Sequence, residues 1–267
     1  MIRIDKYNEE ITCIQTATEH DANVIMWVYA YHIDNALLDA GCANALDELK
    51  KYGSSNQIEQ IYVTHPHEDH CGGLSAFSKD GTAFAHPSAF DILTNPPDLA
   101  DFFKYVWGQP EAIDNVEEIP DRFSIGDLEF QTIDISGHYQ NMLGFYEENR
   151  GWLFSADAVP LPSRKYIGMP EENVPRMIVT MERLLELDIT ILFDGHRGPI
   201  TNPQEHIKKR VDYLKETQHK ALGLHEQGKS IDEIITELGF EGPWYLELTK
   251  ERFGIDFFVN SLINDVP

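Results

Sequence analysis

Four residues able to hold a metal lie within six positions: His65, His67, Asp69 and His70, in the stretch Ile61-Tyr-Val-Thr-His-Pro-His-Glu-Asp-His-Cys-Gly-Gly. Imidazole nitrogen and carboxylate oxygen are donors for Zn2+, and equally for Fe2+ or Mn2+. Four donors in so short a segment are more than one open catalytic ion takes, so the spacing points to two ions side by side. The local chain chemistry agrees. Pro66 disfavours helix at His65, and side chains two apart in extended chain share a face, so His65 and His67 point the same way. Gly72-Gly73 lets the backbone turn tightly into a following helix.

These donors need a scaffold, and the pattern supplies one. Residues 58–63 read as the strand that delivers them. Upstream, 11–16 and 24–31 are β-prone runs, Ile33-Asp-Asn carries turn chemistry, and Leu37-Leu-Asp-Ala-Gly reads as a short buried strand. Leu46 and Leu49 stand at helical spacing within 44–52. Downstream come strands over 123–135, 143–147, 152–154 and 189–193, with an amphipathic helix over 171–187 carrying Met177, Met181, Leu184 and Leu185 on one stripe. After Pro203 the texture is helical throughout. Gly228 ends a long helix there, and Ser230 with Glu233 carries a capping-box signature for the next. The order predicts an α/β catalytic domain over 1–203 and a small helical appendage over 204–267. Residues 95–121 interrupt it, with Pro96, Pro97, Pro110 and Pro120 around Phe102-Phe-Lys-Tyr-Val-Trp. Two readings fit: a lid that puts Phe102 and Trp107 in a substrate-pocket wall, or a surface helix packing its own aromatics.

Charge narrows the partners. With 21 Lys+Arg against 45 Asp+Glu, the 267 residues carry a formal charge of −24. That opposes a nucleic-acid surface and an anionic membrane surface. A 42% hydrophobic content with 11% aromatics excludes a disordered acidic chain. The sequence has no apolar run long enough to span a bilayer and no signal-type apolar stretch after Met1. Three widely spaced cysteines fit a reducing compartment, so a cytoplasmic protein is expected. The expected partner is a small-molecule substrate, with a homo-oligomer left open.

The stretch from His65 to Gly73 resembles the HxHxDH signature of the metallo-β-lactamase superfamily. Four further blocks resemble the rest of that family's pattern, in order: Leu38-Asp39-Ala-Gly41, Ile135-Ser-Gly-His138, Trp152-Leu-Phe-Ser-Ala-Asp157 and Leu192-Phe-Asp-Gly-His196. The resemblance implies a four-layer αββα sandwich. It implies that His65, His67 and His138 hold a first divalent ion, that Asp69, His70 and His196 hold a second, and that Asp157 bridges them. Asp39 would support the ligand loop, or serve as a turn carboxylate. The implied metal is zinc, with iron or manganese suiting the same donors. The implied reaction is hydrolysis of a small ester, thioester, lactone or phosphoester by a hydroxide shared between the ions, with Asp69 shuttling the proton. An iron-dependent oxidoreductase of the persulfide dioxygenase kind is the alternative. Arg197 would contact an anionic substrate, or form an ion pair.

Departures from subfamily patterns narrow the branch. Asp157 stands where B1-type β-lactamases have cysteine, and Pro160 where quorum-quenching lactonases often place tyrosine. The basic pair that glyoxalase II members use for glutathione is not identifiable. Gly228-Lys-Ser-Ile-Asp-Glu-Ile-Ile resembles the winged-helix-like tail module of β-lactamase-like protein 2 hydrolases. The branch between these two stays open.

Overall fold

Two β-sheets build the first of two structural units, which comprises Met1–Ile133, Leu143–Ala156 and Thr190–Thr201. The computed structural model describes residues 1–21, 23–161, 166–249, 252–265 and 267. One sheet has seven strands, in the order Ile2–Lys6, Ile11–Thr16, Val28–Ile33, Ala36–Leu38, Gln60–Tyr62, Thr82–Ala85 and Val116–Glu118. The first four are antiparallel neighbours. The last three join in parallel. Parallel neighbours need long crossovers, and the helix Leu46–Ser55 lies in the first of these. The second sheet has six strands, in the order Arg122–Ile125, Leu128–Asp134, Leu143–Glu147, Trp152–Ala156, Ile191–Asp194 and Gly198–Ile200.

Aromatic side chains from both sheets fill the space between them. Tyr62 stacks on Phe123 at 3.8 Å between centroids, and Phe154 on Phe193 at 4.3 Å. Tyr31 meets both Phe154 and Phe193 edge-on at 5.2 Å. Such pairs add to the area term of burial, because ring edges are positive and faces negative. Leu143–Glu147 and Trp152–Ala156 are buried at every residue. Strands covered on both faces read as near-continuous apolar runs, as residues 143–146 and 152–154 do in the sequence.

The second unit comprises Asp134–Met142, Asp157–Ile189 and Asn202–Pro267. Its helices include Val174–Leu185, Pro203–Glu226, Ile231–Glu237 and Ile255–Asn264. The first starts at Val174 because the Asn173 side chain accepts the Arg176 N–H, with Pro175 in the first turn. Its buried stripe is Met177, Met181 and Leu184. Val174 N donates to Ser261 Oγ at 2.8 Å, tying it to Ile255–Asn264. Ser230 and Glu233 form the expected capping box. Beyond Ile200 the described residues form helices and no strand, with one isolated bridge from Gly254 to Gly168.

Two expectations are refined by the structure. The β run over 123–135 is a hairpin, turned at Gly126 with φ +54°. Within 95–121 a helix, Asp101–Trp107, buries Phe103, Val106 and Trp107. Cys13, Cys42 and Cys71 are free and buried; burial, then the Asp5 charge, pushes the Cys13 thiol up to about 11. Among the described residues, no helix is long and apolar enough to cross a membrane.

Phe193 joins the aromatic stack from a fully buried position. Phe193→Ala is expected to cost about 3–5 kcal/mol of stability, read as a lower midpoint in urea unfolding with little change in slope.

Candidate metal centre

The ligand loop leaves the strand Gln60–Tyr62, bends at Thr64, and is extended at His67, with φ −69° and ψ 145°, just before the short helix Glu68–Cys71. Two glycines let this loop press against the turn at Asp39. A Cβ on Gly73 would lie 2.1 Å from the Ala40 carbonyl oxygen, so only glycine allows that approach. Gly73 N donates to Gly41 O, and Ala40 N to His70 O, both at 2.8 Å.

Asp39 is buried and adopts φ +59°, a region that aspartate tolerates better than most residues. Its Oδ1 accepts Thr64 N at 2.8 Å, and the Thr64 hydroxyl donates to the same carboxylate at 2.9–3.0 Å. His70 Nδ1 lies 2.9 Å from Asp39 Oδ2. An ionised carboxylate only accepts, so His70 Nδ1 carries a proton; in the neutral ring that leaves the lone pair on Nε2. Thr64 Oγ1, having given its hydrogen to Asp39, accepts from His65 Nδ1 at 3.0 Å. That turns His65 Nε2 into an acceptor, 3.1 Å from His67 Nδ1.

His196 follows the strand Ile191–Asp194. Asp194 Oδ1 accepts the backbone N–H groups of His196 and Arg197, both at 2.8 Å, which shapes the turn. Arg197 Nη2 is paired with Asp194 Oδ2. His196 Nδ1 donates to the Trp27 carbonyl at 2.9 Å, again leaving Nε2 as the acceptor. That Nε2 is 3.4 Å from Asp69 Oδ2, and His70 Nε2 is 3.8 Å from the same oxygen. Asp69, His70 and His196 thus offer three donor atoms within 4.8 Å of one another. These separations are longer than the usual hydrogen bond. They suit donors on one cation, since bonds of about 2.0–2.2 Å place neighbouring donors roughly 3–4 Å apart.

The second unit repeats the device. His138 Nδ1 donates to Glu172 Oε1 at 2.8 Å, and its Nε2 faces Asp157 Oδ2 at 3.5 Å. Glu172 is itself fixed, its Oε2 accepting Met169 N at 3.0 Å. Asp157 follows a break in the sheet register between Phe154 and Ala156, with Ala156 at φ +40°. Such irregularities re-aim the side chains beside them.

Two further residues shape the centre. Asp194 had a sequence signal, since aspartate commonly accepts from backbone N–H groups just ahead of it in a turn. Glu172 had none: it is distant from His138 in sequence and belongs to no motif. Cys71 stays a thiol. Burial pushes its pKa well up, and the charges of Glu68, Asp69 and Asp39 add to that. The Trp107 ring sits 6.4 Å from that of His196. Phe102 meets Phe103 edge-on at 5.5 Å.

The sandwich and these donor sets define a class, and comparison with known proteins gives the same one. The metallo-β-lactamase superfamily model matches residues 25–205, and the chain belongs to that family. The chain is 28% identical over 187 residues to a hydroxyacylglutathione hydrolase of Ruegeria pomeroyi, covering 65% of this chain and 64% of that one. It is 25% identical over 190 residues to a probable metallo-hydrolase of Bacillus subtilis, covering 59% of this chain and 60% of that one. It therefore spans less than two thirds of the length of either relative. A metallo-β-lactamase family protein of Thermus thermophilus shares the fold at a TM-score of 0.69, with 16% identity over 96% of this chain and 93% of that one.

Asp39→Ala frees the Nδ1 side of His70 and unties Thr64, and with it the ligand loop, from the turn at residue 39. The expected result is metal affinity about 10–100-fold weaker in chelator competition, with the fold retained by circular dichroism.

Proposed function

We propose that the chain is a metal-dependent hydrolase with a dinuclear centre, acting on a small ester, thioester, lactone or phosphoester. One observation carries this reading. His70, His138 and His196 are each held at Nδ1 by a protein acceptor, and each presents Nε2 to an aspartate oxygen 3.4–3.8 Å away. A neutral imidazole lone pair facing a carboxylate calls for a cation between them. Family membership and the order of the five sequence blocks support joining the residues into one ligand set. His65, His67 and His138 hold the first ion, Asp69, His70 and His196 the second, and Asp157 both.

Divalent ions bound there supply a nucleophile from water at neutral pH and polarise the substrate oxygen. The chain's own groups do the rest. Asp39, Thr64 and Glu172 fix the rings so that no reorientation is needed when substrate arrives. Asp69 takes and returns the proton after attack. Asp194 holds the His196 turn, with Arg197 clamped to it. The names of the relatives support a hydrolase, and an ester or thioester bond suits the same chemistry. The acidic surface opposes long polyanionic substrates, which favours a small molecule.

The test is a panel of lactones, thioesters and phosphodiesters run on metal-quantified protein, with Asp157→Ala and His196→Ala beside the wild type. Wild type should hold about two ions per chain and both variants fewer, with hydrolysis falling at least about a hundredfold. Unchanged metal content in both variants would overturn the ligand assignment. Stoichiometric iron with oxygen consumption and no hydrolysis would replace the hydrolase by the oxidoreductase.

A further inference from the structure

The strand Ile2–Lys6 forms one edge of the seven-stranded sheet, with Ile11–Thr16 as its sole neighbour among the described residues. The direction of its backbone groups follows from the ladder. Met1 N donates to Ala17 O at 2.9 Å, Ala17 N to Met1 O at 3.2 Å, and Tyr7 N to Ile11 O at 2.9 Å. Antiparallel pairs alternate between those that exchange backbone bonds and those that do not. Arg3 and Asp5 therefore bond to Gln15 and Cys13, and the N–H and C=O groups of Ile2, Ile4 and Lys6 point away from the sheet. An open row of this kind is a template for another strand.

The side chains decide which strand fits. Ile4 is 47% exposed, and Arg3, Asp5 and Lys6 are exposed with it. Arg3 and Asp5 share one face, where Arg3 Nε lies 2.7 Å from Asp5 Oδ2 and Gln15 Nε2 donates to the same oxygen at 2.9 Å. Ile2, Ile4 and Lys6 share the other face. A second copy of this strand, laid antiparallel about a two-fold axis at Ile4, sets each Arg3 opposite the other copy's Asp5. Ile4 then meets Ile4, Ile2 meets the stem of Lys6, and every outward backbone group of the strand finds a partner. The charged residues fall at the pairs without mutual backbone bonds, where facing side chains come closest. Neighbouring registers fail. An axis at Arg3 sets arginine against arginine, and one at Asp5 sets aspartate against aspartate, and like charges directly opposite destabilise a strand pair. The strand also carries two cations and one anion in a chain of net charge −24, which eases the approach of two copies at this place. The opposite edge of the same sheet, Val116–Glu118, has two glutamates and no cation, so it repels its own copy.

We infer that Ile2–Lys6 is a self-recognition edge, and that two copies of the chain pair antiparallel about Ile4, joining their seven-stranded sheets into one. The contact spans five residues of each chain. It is small for a protein interface, so the dimer is reversible, with a dissociation constant on the order of 10–100 μM. The pairing makes no use of the metal centre.

Sedimentation equilibrium of the full chain from about 5 to 500 μM tests this. The wild type should pass from monomer to dimer over that range. Arg3→Asp and Asp5→Arg each set like charges opposite one another on both sides of the axis, and each should weaken association at least about tenfold. Mixed in equal amounts, the two variants regain unlike pairs and should form a heterodimer of near wild-type affinity. Ile4→Pro should give a monomer that keeps its circular dichroism spectrum, because the N–H it removes is one the neighbouring strand does not use. A wild type that stays monomeric throughout, or a dimer unaffected by the charge reversals or by Ile4→Pro, overturns the inference. Failure of the two folded, monomeric charge variants to associate on mixing overturns it as well.

Discussion

The Asp39 carboxylate is the pivot of the ligand loop. It accepts from the Thr64 backbone, the Thr64 hydroxyl and His70 Nδ1, and through Thr64 it sets the ring of His65. A buried anion is costly unless hydrogen-bond donors compensate it. Here every compensating donor belongs to the loop that carries the metal ligands. Stability of the carboxylate and orientation of the ligands are therefore one requirement. The left-handed backbone at Asp39 and the close approach at Gly73 are local conditions for meeting it.

Glu172 plays the equivalent part for His138, and the Trp27 carbonyl plays it for His196. All three arrangements push the ring proton to Nδ1 and leave Nε2 facing a carboxylate. A cation between each of these Nε2 atoms and the aspartate it faces would be held from both sides. Orienting partners of this kind commonly set ligand basicity and ring direction in metal sites. The net charge of −24 consequently describes the surface poorly as a guide to the centre, where buried carboxylates are matched by donors and by the ions they would hold.

Much of the fold was legible because its strands are buried. The runs at 143–146 and 152–154 carry no charged residue, and the Ser230–Glu233 box and Gly228 mark helix ends by local chemistry alone. The strand Ile2–Lys6 was not legible, since four of its five residues are exposed. The metal-ligand candidates could be read from the sequence because ligation demands particular residue types at fixed spacing. Glu172 could not, because its pairing with His138 depends on tertiary placement.

Anomalous diffraction at the metal edge, from crystals of the metal-reconstituted protein, tests the central claim most directly. The expected map shows two ions per chain about 3.5–4 Å apart, bound by Nε2 of His70, His138 and His196, with Nδ1 of those rings still on Asp39, Glu172 and Trp27. A single ion, or any of these rings ligating through Nδ1, would contradict it.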